Sequence, residues 1–200
     1  METKDLIKKF TELLTKHIQN VPNGFYDKFE YTQTGNNKTH PRTLGFIVKT
    51  LSELGIDLID IDSKLNEKGI KFQPDLIGRD FNEKERIIID YESPNSSDAR
   101  IIEKDIEPYL KWVECTKKRD VPYIIITTLP DKESQKWELK YTSKGYYNEK
   151  HKGKKADVQK NPFRYWHNVY EEEIKSKGIK SGSIYLVNIN GKKVESMQLT

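Results

Sequence analysis

With a single cysteine, Cys115, the 200-residue chain can form no internal disulfide and no cysteine-rich zinc site. A lone thiol fits a reducing compartment, where it packs as a small apolar residue. No apolar run approaches the roughly 20 residues that cross a bilayer, and the opening METKDLIKKF contains no signal-peptide core. The expectation is a soluble, cytoplasmic protein without membrane contact. His17, His40, His151 and His167 lack metal-ligand spacing, and neither a Ser-His-Asp pattern nor a P-loop is present. Nor does the chain need a staple: 200 residues bury roughly 70% of their surface, enough for one compact domain.

What is present is a pattern of acids between Lys71 and Ser97, in KFQPDLIGRD and RIIIDYESPNSS. Residues 86–92 form a short isoleucine-rich run, which favours a buried strand over a helix. Side chains alternate across a strand, so Ile88, Asp90 and Glu92 share one face while Ile87, Ile89 and Tyr91 share the other. Residues 72–77 also read as extended, with Pro74 marking an edge or bulge rather than a strand interior. If the two segments pair through the charged turn at 79–85, the Asp75 carboxylate approaches Asp90. Carboxylates that close repel, and a divalent cation relieves the repulsion. Mg²⁺ takes oxygen ligands, one or two carboxylates plus water and phosphate, which Asp75, Asp90 and a phosphodiester would offer.

At these residues the chain resembles the PD-(D/E)xK nuclease superfamily. Pro74-Asp75 matches the PD element and Asp90-Tyr91-Glu92 the (D/E)xK element, over a resemblance that covers roughly residues 44–129. Glu92 stands where the family has lysine, similar to a variant found in a minority of type II restriction enzymes. The resemblance implies a restriction-endonuclease-like α/β core, a mixed sheet flanked by helices. It also implies Mg²⁺- or Mn²⁺-dependent hydrolysis of phosphodiester bonds in DNA. Asp75, Asp90 and the Tyr91 backbone carbonyl would hold the metal. Glu92, the third catalytic candidate, would orient water or help bind a second ion. The missing lysine keeps an alternative open, a catalytically inactive nuclease-fold protein that binds nucleic acid or a protein partner. A different phosphodiester enzyme or a nucleotide-binding protein would account for the acids but not for the basic segment described below.

The order of elements can be read separately. Residues 4–18 place Leu6, Ile7, Phe10, Leu13, Leu14 and Ile18 on one helical face. Pro41 suits the first turn of a second helix, whose stripe of Leu44, Ile47, Val48, Leu51 and Leu54 stops at Gly55. Residues 56–62 alternate as a strand, ahead of the two segments carrying Asp75 and Asp90. A helix over 99–115, with Pro108 as a kink, presents Ile102, Ile106, Tyr109 and Val113 on one side. Residues 121–129 suit a buried strand that joins a sheet in parallel. The expected order is α-α-β-β-β-α-β, followed by C-terminal additions. On this order Lys104 lies opposite its helix's apolar side and should face solvent, and Glu12 and Glu53 sit off their stripes. Asp60 and Asp62 could line the same cleft as the other acids or simply face water.

The chain reads as a single domain over 1–200, with its core at about 41–130 and a basic, aromatic elaboration at about 131–200. Ten basic residues stand against four acids over 132–170, a balance of +6 where the whole chain carries +4. Interleaved aromatic rings suit phosphate contact combined with base stacking, worth roughly 1–3 kcal/mol per base. The candidates are Lys144, Lys150, Lys152, Lys154, Lys155, Arg164, Tyr146 and Trp166. A solvated lysine-rich loop beside core aromatics is the plainer reading. The expected partner is nucleic acid, DNA first, with homodimerisation left open. Residues 183–189 alternate like a closing strand, and Asn190-Gly191 signals a hairpin into 194–199.

Overall fold

The computed structural model describes residues 2–20, 36–67, 69–92, 103–127, 168, 171–172, 174–176, 183–190 and 192–199, with backbone alone at 36–40, 92, 103–104 and 190. Helical periodicity decides the first layer. Helix α1, Thr3–Gln19, buries Leu6, Ile7, Phe10, Leu14 and Ile18 together with His17. Helix α2, Asn36–Glu53, buries Leu44, Ile47 and Leu51. It stops where the sequence indicates: Gly55 takes φ 76°, the Gly55 N–H donates to the Ser52 carbonyl at 3.0 Å, and the Ile56 N–H donates to the Leu51 carbonyl at 3.1 Å. This left-handed closure satisfies carbonyls that the helix end would otherwise leave without donors.

Among the described residues the strands that follow are β1 Leu58–Ile61, β2 Leu65–Glu67, β3 Ile70–Phe72, β4 Leu76–Arg79, β5 Glu85–Glu92, β6 Tyr123–Thr127, β7 Ile184–Asn190 and β8 Lys193–Gln198. Helix α3, Glu103–Thr116, lies between β5 and β6 in the chain. Six strands form one mixed sheet in the order β1-β4-β5-β6-β7-β8, and β2 and β3 pair as a separate hairpin. The β5/β6 and β6/β7 pairs are parallel, and the outer pairs are antiparallel. Alternation then builds two cores. Ile87, Ile89, Tyr91, Ile124, Ile126 and Val187 pack with α1 and α2. Ile88, Tyr123, Ile125 and Leu186 pack with Tyr109, Trp112 and Val113 of α3 and with Phe72. Full burial of each such side chain contributes about 1.5–3 kcal/mol, so both faces hold the sheet. At Gly78 a side chain is excluded, since a Cβ there would lie 2.6 Å from Ile87 Cγ2 and 2.9 Å from Ile56 Cγ2.

The observed order is α-α-β-β-β-α-β with the β2–β3 hairpin inserted after the first strand. The expected strand over 72–77 is divided: Phe72 ends β3 and Leu76 opens β4, with Gln73, Pro74 and Asp75 turning between two sheets. Pro74 has no N–H to give a ladder, which is where a strand breaks at least cost. Pro41 lies inside α2 rather than in its first turn. An interior proline costs about 3 kcal/mol, which burial of Leu44, Ile47 and Leu51 against α1 offsets. The strand expected to alternate over 183–189 is buried throughout, because it lies inside the sheet beside β6. The β7–β8 hairpin forms as expected, its Asn190↔Lys193 register enclosing two residues. No helix among the described residues is long and apolar enough to cross a membrane.

Candidate active site

The β4–β5 hairpin sets the site. Its turn is built on Asp80, whose Oδ1 accepts from the Asn82 N–H at 2.9 Å and the Lys84 N–H at 3.1 Å, while Glu83 takes the left-handed conformation at φ 59°. The Leu76↔Ile89 register, extended by one pair, puts Asp75 opposite Asp90. At that point side chains take over from the ladder. The Asp75 N–H donates to Asp90 Oδ1 at 3.0 Å, and the Tyr91 N–H donates to Asp75 Oδ2 at 2.7 Å. Each acid therefore ties down the backbone beside the other.

Asp90 is 7% exposed and lies on the α3 face with Ile88. A buried carboxylate needs hydrogen-bond donors. One comes from the Tyr123 hydroxyl, which donates to Asp90 Oδ2. Tyr123 stacks on Tyr109 with ring centroids 4.4 Å apart, and the Tyr109 hydroxyl donates to the Val121 carbonyl at 3.1 Å. The phenol is thus clamped before it meets the acid. Tyr123 is absent from the sequence-based candidates. The available signal was a tyrosine in a buried strand, where its hydroxyl must find a partner.

Beside Asp75, Asp62 leaves β1 at φ 52°, donates its N–H to the Asp75 carbonyl at 3.0 Å and accepts from Gln73 Nε2 at 3.1 Å through its own carbonyl. Asp60 points elsewhere, to Arg79. Among the sequence candidates the fold therefore brings Asp75, Asp90 and the Tyr91 backbone together. Glu92 ends β5 opposite Thr127, but its side chain lies outside the described residues, as does that of Lys104. Lys144, Tyr146, Lys150, Lys152, Lys154, Lys155, Arg164 and Trp166 all lie outside them.

The opposite end of the hairpin is an ion-pair chain. Arg79 bonds Asp60 at 2.8 Å and Glu85 at 3.0 Å, and Lys118 bonds Glu85 at 2.8 Å and Glu67 at 3.3 Å. Burial would raise the Glu85 carboxyl, but hydrogen bonds from Lys118, from its own backbone amide and from Arg79 outweigh that effect and hold it below the usual carboxylate range. Burial would lower Lys118, yet Glu85 and Glu67 raise it above an ordinary lysine.

No family model, curated protein or solved structure matches the chain. The chemistry must be read from the donors themselves. Among the described residues no three His, Cys, Asp or Glu side chains converge as a metal site, and the motif's third acid contributes only backbone to them. Asp75 and Asp90 supply hard oxygen donors from two fixed directions. Such a pair fits a cation that takes one or two carboxylates and completes its shell with water and phosphate. A groove lined by Lys9, Glu12, Leu13, Lys16, Glu53 and Leu54 lies by α1 and α2, the helices on the other face of the sheet from Asp90. His17 and Glu53, 3.2 Å apart, join the two helices.

Proposed function

We propose that this chain is a metal-dependent endonuclease that hydrolyses phosphodiester bonds of DNA, built on a restriction-endonuclease-like core. The observation that carries the reading is the Asp75–Asp90 junction, where two acids from adjacent strands are cross-tied by the backbone at the end of β5. Asp75, Asp90 and the Tyr91 carbonyl would hold Mg²⁺ or Mn²⁺, and Glu92 would orient the attacking water or help bind a second ion. When bound, the metal would acidify water and neutralise charge on the phosphate. The chain's own contribution is orientation: the Asp75 amide and the Tyr123 hydroxyl set the direction of the Asp90 carboxylate, and the Tyr91 amide sets that of Asp75. The basic, aromatic segment over 132–170 would supply phosphate and base contacts, and a second copy of the chain could be engaged on a duplex.

A second reading has its own support. The same cross-ties give both carboxylates a purely structural use in closing the β4–β5 ladder, and Glu92 stands where the resembled family has lysine. A nuclease-fold protein that binds nucleic acid or a protein partner without cutting would have both features. Cleavage of a labelled DNA duplex separates the two. The nuclease reading expects Mg²⁺-dependent cutting that excess chelator abolishes, loss of rate in Glu92→Gln, and retained rate in Glu92→Lys. Full activity in chelator, or a Glu92→Gln single-turnover rate equal to that of the wild type, would sink it.

A further inference from the structure

At the carboxyl end of β1 the ladder to β4 changes partners. Ile61 pairs with Leu76, and one step further the Asp62 N–H donates to the Asp75 carbonyl at 3.0 Å. In a regular antiparallel ladder two residues so bonded exchange both hydrogen bonds, and the Asp75 N–H would return to the Asp62 carbonyl. Here the Asp75 N–H goes to the other side, to Asp90 Oδ1 at 3.0 Å. A side chain takes the place at β1: Gln73 Nε2 donates to the Asp62 carbonyl at 3.1 Å. Asp75 therefore bridges two strands, with its carbonyl tied to the end of β1 and its amide to the acid of β5.

Local geometry permits this exchange. Pro74 has no N–H to contribute to a ladder, and Asp62 takes the left-handed conformation at φ 52°, which aspartate and asparagine adopt more readily than other residues besides glycine. Asp62 thereby spends both of its backbone groups on the turn Gln73-Pro74-Asp75, one at each end. Asp62 and Gln73 are exposed, so hydrogen bonding rather than close packing makes the tie. Without the Gln73 amide, the Asp62 carbonyl is free to draw the Asp75 N–H back into the ladder, since a backbone acceptor leaving one donor seeks another. Asp90 would then lose a donor that directs it, and the Asp75 carboxylate would turn away from the Tyr91 N–H.

We propose that Gln73 is a positioning residue for the Asp75–Asp90 pair: by satisfying the Asp62 carbonyl it releases the Asp75 amide to the Asp90 carboxylate, and so sets the direction in which both acids present oxygen to a divalent cation. The cation rests on the nuclease reading; the exchange of hydrogen-bond partners does not. The test joins amide hydrogen exchange on the metal-free protein to cleavage of a labelled duplex across a Mg²⁺ series. Gln73→Met keeps the reach of the side chain and removes its donor. It should speed exchange of the Tyr91 N–H, which Asp75 Oδ2 accepts, roughly fivefold, and leave unchanged the Ile88 and Tyr123 amides, which Pro122 and Ser183 carbonyls accept. The Mg²⁺ concentration for half-maximal rate should rise roughly tenfold with KM for the duplex unchanged, as when a group behind a metal ligand is lost. Asp62→Asn keeps the left-handed residue and should behave as the wild type, whereas Asp62→Val, β-branched and strained at that φ, should reproduce Gln73→Met.

If the wild type cuts and Gln73→Met leaves the Mg²⁺ requirement where it was, the positioning role is overturned and the nuclease reading stands. If the wild type does not cut and Tyr91 exchange alone accelerates in Gln73→Met, the positioning of the acids stands and the nuclease reading falls. Acceleration that spreads to Ile88 and Tyr123 would assign Gln73 to general stability and overturn its role at the acids. Equal losses in Asp62→Asn and Asp62→Val would also overturn it, because the Asp62 carboxylate rather than its carbonyl would then be the group that matters. A wild type that does not cut, with Tyr91 exchange unmoved in Gln73→Met, overturns both.

Discussion

The two ends of the β4–β5 hairpin handle buried acids differently. At the Glu85 end, a carboxylate 8% exposed meets two cationic side chains, Arg79 and Lys118, which pass on to Asp60 and Glu67. At the Asp90 end, the donors to the acids include the Asp75 and Tyr91 amides and the Tyr123 hydroxyl. Cations neutralise a carboxylate, whereas amides and phenols orient it and leave its charge in place. Cationic side chains pair with Glu85, and backbone amides with a phenol set the direction of the carboxylates at Asp75 and Asp90.

The sharpest way to break this contrast is to make the same change at both ends. Asp90→Asn should lower Mg²⁺-dependent cleavage roughly a thousandfold while nearly preserving shape and thermal midpoint. Alanine is the poorer probe at this position, because it would leave the buried Tyr123 hydroxyl without its acceptor. Glu85→Gln should do the reverse, leaving cleavage near wild type and costing about 2 kcal/mol in chemical denaturation. The pH dependence follows from the directions of the shifts. Glu85 is held low, so its contribution is present above the ordinary carboxylate value and disappears as pH falls through its depressed one. Lys118 is held high, so its contribution is present below the ordinary lysine value and disappears as pH rises past its elevated one. The stability gap between wild type and Glu85→Gln should be flat near neutrality and narrow as pH falls through the depressed Glu85 value. A gap that persists in acid would remove the ion-pair chain as its source.

Two smaller changes sharpen the comparison from between the ends. Gly78→Ala drives a Cβ against Ile87 and Ile56 and should cost about 1–2 kcal/mol without changing the Mg²⁺ requirement, as paired melts and metal titrations would show. Tyr123→Phe keeps the stack on Tyr109 and deletes only the hydroxyl on Asp90. It should lower activity about tenfold and raise the Mg²⁺ concentration for half-maximal rate, as loss of a partner that orients a metal ligand does. An unchanged metal titration would make that hydroxyl a packing feature.

Much of the scaffold was legible in the chain. The stripes of α1 and α2, the stop at Gly55, the alternation of Ile87, Ile89 and Tyr91 against Ile88 and Asp90, and the parallel strand at 123–127 all follow from local rules of period and capping. What misled was proline. Pro74 signals an edge or bulge, yet nothing local reveals that the segment before it leaves for a second sheet. Pro41 signals a helix start, although packing farther along α2 can carry the helix past it. Asp60 and Asp62 alternate identically in the sequence, and only the position of Arg79 separates the ion-pair acid from the one beside Asp75.

By itself, the sequence determined which residues could share a face, because side-chain period is a property of the backbone alone. It thereby determined that Asp90 would enter a buried face and would need donors there. Which donors it meets was decided by tertiary structure. The Asp75 amide and the Tyr123 hydroxyl come from segments 15 and 33 residues away from Asp90 in the chain, joined through strand order and register. Register between distant strands is selected by the packing of two whole faces at once, and no local pattern encodes it.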